Sequence, residues 1–123
     1  MKGDRMRVFV SLPVKDWTAE KLREERDMVL SGVPGYFGIP EEKVIEVPMI
    51  EPQQLTGQHP VYCLGINLQM MCQADVVVFH PDWKTSKACR LEHGLCNEYG
   101  IPHVDLSHEF GDGGYFPGKE TLE

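Results

Sequence analysis

The chain has no long apolar run, no Cys-x-x-Cys pair and no excess of positive charge, and each absence removes a class of answer. Apolar stretches last only a few residues, far short of the ~18 that a membrane-spanning helix needs. Lys2-Gly3-Asp4-Arg5 leads into a strand-like run rather than an apolar signal core, so a cytoplasmic location with no membrane partner is expected. Cys63, Cys72, Cys89 and Cys96 are widely spaced, which reads as free thiols rather than a disulfide framework. Nineteen acidic residues against twelve basic ones give a formal charge of −7, unsuited to a general grip on nucleic acid.

Two catalytic motifs are also missing. Gly111-Asp112-Gly113-Gly114 opens no helical pattern, so it is neither a dinucleotide fingerprint nor a phosphate loop. Serine, histidine and aspartate all occur, but no nucleophile elbow does. His59, His80, His103 and His108 are scattered and read as loop or strand-end residues. Cys89, His93 and Cys96 share one helical flank, but with no fourth ligand they read as buried thiols beside a surface histidine. No metal or cofactor is called for.

What is present suits one domain over residues 1–123, with a core at about 6–106 and a tail at 107–123. A chain of this length buries roughly two-thirds of its unfolded surface, enough for one modest core. Strands are expected over Met6–Leu12, Lys43–Val47, Asp75–His80 and His103–Leu106. Helices are expected from Asp16 or Thr18 to a stop at Gly32, from Pro60 to about Cys72, and from Ser86 or Thr85 to about Tyr99. Residues 32–40 read as a turn-rich connection, and Met49–His59 as a loop that could cover a ligand. The alternation implies an α/β fold, a small doubly wound parallel sheet of the flavodoxin-like or Rossmann-like three-layer kind. Ligands then sit beyond the carboxyl ends of the strands, beside Ser11–Asp16, Pro48–Gln54 and His80–Ser86.

The most informative stretch is His80–His93, joining the apolar Val76–Phe79 run to the last helix. At 100° per residue, Ala88, Leu91, Leu95 and Tyr99 form one arc that also contains Glu92. An acid on an apolar face has a raised pKa if desolvated, which suits nucleophilic or acid-base work. The alternative is a structural glutamate satisfied by the backbone or Arg90. Ser86, Lys84, Lys87 and the free N–H groups of the first turn form an anion seat of monophosphate size, or an ordinary cap on a solvated turn.

Val76–Phe79, Pro81, Trp83, Ser86, Arg90, Leu91, Glu92 and His93 resemble the signature of small proteins related to nucleoside 2-deoxyribosyltransferases, including a bacterial and phage branch. The resemblance runs from the first strand with Pro13 to Leu106 and is most specific over Pro81–His93. It implies that Glu92 attacks the anomeric carbon, expels the base and forms a glycosyl-enzyme ester that water or a second base resolves. Relatives acting on unphosphorylated nucleosides carry aspartate six residues before the nucleophile, whereas those hydrolysing nucleoside monophosphates carry serine. Ser86 therefore implies a 5′-monophosphate substrate.

The chain departs from that pattern at Asn67, where an acid that handles the leaving base is common, and at Ala88-Cys89-Arg90-Leu91, which is bulkier than the usual approach to the nucleophile. Asp82 is a substitute acid. The expected site is Glu92 as catalyst, with Ser11, Asn67, Asp82, Trp83 and Ser86 around a small-molecule nucleoside or nucleotide. A homo-oligomer is expected, since relatives are dimers or larger and a neighbour's tail completes their sites. A nucleotide-binding module without turnover and an assembly protein driven by its aromatic tail are the rival readings. Leu122-Glu123 fits a vector remnant.

Overall fold

Four short parallel strands order the rest of the chain. β1 (Met6–Ser11), β2 (Val44–Val47), β3 (Val76–Phe79) and β4 (His103–Asp105) lie side by side as β2-β1-β3-β4. The computed structural model describes residues 5–50, 57, 59–109 and 115–116. Ser11 is level with Phe79, and Phe79 with Asp105, so the carboxyl ends of the three strands line up along one rim. β3 is buried at every residue, as a valine-rich central strand covered on both faces should be.

The helices divide between the two faces. α1 (Ala19–Phe37) sets Leu22, Val29 and Val33 against Val8, Val10, Val76 and Val78. On the other face α2 (Pro60–Met71) and α3 (Lys87–Tyr99) bring Met71 and Cys96 to Phe9, Val77 and Phe79. The expected three-layer, doubly wound architecture is therefore present. The chain leaves β1 for β2 on one side and β3 for β4 on the other, so connections diverge between β1 and β3 and leave a crevice at their carboxyl ends.

Local chemistry sets the helix ends. Thr18 Oγ1 accepts from Lys21 N–H at 3.0 Å, and His59 Nδ1 accepts from Val61 N–H at 3.0 Å ahead of Pro60. Gly38 and Gly100 take the left-handed conformation that ends α1 and α3. Gly32 does not stop α1 as expected; the helix runs on through Pro34 to Phe37. Val33 is buried in the core and Phe116 covers Gly32, so tertiary packing overrides the local breakers.

One further expectation changes. α3 turns a different face inward: Cys89, Glu92 and Cys96 are buried, while Ala88, Leu91 and Tyr99 are exposed. The true buried arc lies about a quarter-turn from the predicted one, with Glu92 nearer its middle. The tail returns to its own chain at Tyr115–Phe116, where Phe116 joins the α1 core and Ser107 N–H donates to the Tyr115 carbonyl at 3.2 Å. Residues 51–56, 58, 110–114 and 117–123, which include most of the expected covering loop and Leu122-Glu123, lie outside the described residues. Among those described, no helix is long and apolar enough to cross a membrane.

Candidate functional site

Glu92 is 4% exposed, and its Oε1 accepts from Ser11 Oγ at 2.6 Å. The contact joins α3 to the end of β1 at the point where strand order reverses. Ser86 makes this geometry possible. Its Oγ accepts from Cys89 N–H at 3.2 Å and starts α3, which places Glu92 in the second turn against the sheet. Burial pushes the Glu92 carboxyl up to about 7, although the Ser11 hydrogen bond pulls the other way.

Cys89 completes this buried group. Its Sγ lies 3.1 Å from Ser11 Oγ, and burial pushes the thiol up to about 11. A hydroxyl has one proton, so if Ser11 donates to Glu92, the neutral thiol serves as the donor to Ser11. The order Cys89 to Ser11 to Glu92 gives the Ser11 hydroxyl both a donor and an acceptor, and no described buried side-chain nitrogen or oxygen lacks a partner.

Above this group is a cleft of about 350 Å³, lined by Pro13, Lys15, Asp16 and Trp17 from the loop after β1 and by Asp82, Thr85 and Ser86 from the loop after β3. Of the residues expected at the site, Asp82 and Ser86 line the cleft, while Ser11 and Glu92 lie behind the Ser86 cap, linked to it through Cys89. Trp83 lies elsewhere, stacked on His93 with ring centroids 3.8 Å apart. Asn67 holds the segment after β2 instead, its Oδ1 accepting from Ile50 N–H at 2.7 Å.

The loop after β1 supplies the residues that the sequence did not single out. Trp17, not Trp83, is the aromatic wall of the cleft, and Lys15 adds a cation. Asp16 has φ +67°, the one left-handed non-glycine among the described residues. Such a conformation stores strain, which aspartate tolerates better than most residues. The only signal for this loop was its place on the rim.

A second polar group braces the cleft from the α1 side. His80 is 1% exposed; its Nδ1 accepts from Asp82 N–H at 3.0 Å, leaving Nε2–H to donate to Glu25 Oε1 at 2.7 Å. Tyr115 OH also donates to Glu25 Oε1, at 2.9 Å. Burial holds the His80 imidazole below its ordinary value against the opposing pull of Glu25. Burial alone would raise Glu25, but the bonds from His80 and Tyr115 keep it below 4.5. At the mouth, His108 Nε2 meets Asp82 Oδ1 at 2.9 Å.

No protein-family model matches the chain, and neither curated proteins nor solved structures yield a match.

Proposed function

We propose that the protein cleaves the N-glycosidic bond of a nucleoside 5′-monophosphate, with Glu92 as nucleophile. The observation that carries this reading is the Glu92–Ser11 pair, a buried carboxyl held at the strand-order reversal behind a cleft that Ser86 and Lys15 line. The Ser86 turn and Lys15 receive the phosphate, and Trp17 stacks on the base.

In the first step the Glu92 carboxylate forms a bond to the anomeric carbon as the carbon–nitrogen bond breaks. The bonding pair leaves with the base, which takes a proton from the Asp82–His108 pair. Water then adds its oxygen to the anomeric carbon, the ester bond breaks, and the carboxylate is restored as the water proton returns to that pair. Attack by a second base in place of water makes the same site a transferase. The acid role falls to Asp82 because Asn67 has no acidic proton and its oxygen is engaged by Ile50.

Chromatography of a panel of nucleosides and their 5′-monophosphates after incubation with the protein tests the reading. Released base should appear for monophosphates, and Glu92→Gln should lower its rate by on the order of 10³ or more. Equal release by the variant would sink the mechanism. One observation favours a second reading, binding without turnover: Glu92 is 4% exposed and is not part of the cleft wall. Saturable monophosphate binding with no base released selects it.

A further inference from the structure

Between α3 and β4, His93, His103 and Asp105 bring three ligating atoms within 4.8 Å of one another. We propose that they form a site for a divalent first-row transition cation such as zinc, independent of the glycosidase reading. His103 and Asp105 are two apart on β4 and so share one face of the strand, and α3 lays His93 over that face. Two imidazoles and one carboxylate, with the remaining positions open to water, are a donor set that such cations take.

The side chains are held ready. His103 Nδ1–H donates to the Ile101 carbonyl at 2.8 Å, which fixes the tautomer and leaves Nε2 with a free lone pair. A backbone carbonyl on the second nitrogen is the usual support of a metal-bound histidine. The His93 ring stacks on Trp83 at 3.8 Å, meets Phe79 edge-on at 4.7 Å and lies 5.0 Å from His103. His93 Nε2–H now donates to Asp105, at 2.9 Å and 3.0 Å to its two oxygens. A bound cation takes the place of that proton as the ring adopts its other neutral tautomer, with the proton on Nδ1 instead of Nε2.

Asn97 provides for the exchange. Its side-chain amide lies 3.3 Å from His93 Nδ1. With the amide oxygen turned inward, Asn97 accepts from Nδ1–H, and Nε2 is free to bind the cation. His93 is mostly covered and Asp105 is about half-exposed, so the cation enters from the Asp105 side. Once bound, it ties edge strand β4 to the helix that carries Glu92. The thiols are a separate matter: Cys89 and Cys96 are buried in the core, and neither belongs to the group of clustered ligand atoms.

The experiment uses the full chain after chelator treatment and dialysis. Zn²⁺ is titrated by calorimetry and Co²⁺ by visible absorption, each into wild type, His103→Ala, Asp105→Asn and a Cys63→Ser/Cys72→Ser control. One equivalent should bind with a spectrum lacking thiolate character, each ligand variant should lose at least about tenfold in affinity, and the control should bind as wild type. Zn²⁺ should also raise the melting temperature of wild type but not of Asp105→Asn, whose exposed side chain is not needed for folding. No binding at millimolar Zn²⁺, or loss of binding in the cysteine control alone, overturns the proposal.

Discussion

Ser11 shows how much one hydroxyl can decide. It is 1% exposed and carries the hydrogen bond that Glu92 receives, so removing it leaves a buried carboxyl with no donor among the described residues. Ser11→Ala should cost about 1–3 kcal/mol in urea unfolding at neutral pH. A cost indistinguishable from zero would mean that Glu92 finds another partner. Glu92 itself was legible, because a glutamate on a sheet-facing helix is an anomaly in any hydrophobic plot. Its surroundings were less so. The apolar arc drawn through Leu91 and Tyr99 faces outward, and the real one runs through Cys89 and Cys96, small thiols that pack as hydrophobes. Trp17 carried no periodic signal at all, since its role comes from a loop bending beside the β3 connection.

Among the elements, α1 separates local preference from tertiary demand. A Cβ on Gly32 would stand 2.4 Å from Phe116 Cδ2, whereas one on Gly94 in α3 would meet nothing within 4 Å. Gly32→Ala should therefore destabilise by about 1–3 kcal/mol, and Gly94→Ala should stabilise by roughly 0.5–1 kcal/mol. Chemical denaturation of the two variants side by side checks the pair of signs. The strands, their parallel pairing and the start of every helix could be read in advance, because valine runs, Ser86, Thr18 and Pro60 act locally. The length of α1 could not. Its last turns are set by Phe116, which lies 80 residues beyond Tyr36 in sequence, and no local window along the chain contains both.

For the whole molecule, two buried groups pull the pH profile in opposite directions. In the window from 4.5 to about 7, folded Glu92 keeps a proton that the unfolded chain has released, so stability falls as pH rises through it. His80 works the other way: the fold keeps it neutral below 6.5, so stability falls as acid charges the unfolded chain, and Glu25 adds to this loss below 4.5. Comparing chelator-treated wild type with Glu92→Gln isolates the first effect. The variant's advantage should be near zero at pH 4.5 and grow to about 3 kcal/mol above pH 7. A difference that stays flat across the window would show that Glu92 is not desolvated in solution.

The same molecule also limits how far its sheet can grow. β2 and β4 are the outer strands, four and three residues long, with Pro48 directly after one and Pro102 directly before the other. Proline offers no N–H, so a strand approaching from either side would find only a few hydrogen-bonding groups before the ladder ran out. A valine-rich parallel sheet is the kind of surface that seeds fibrils when its borders are long and bare. Here the borders are cut short at both ends of the layer, and the apolar run Val76–Phe79 is kept buried in an inner strand, away from both borders.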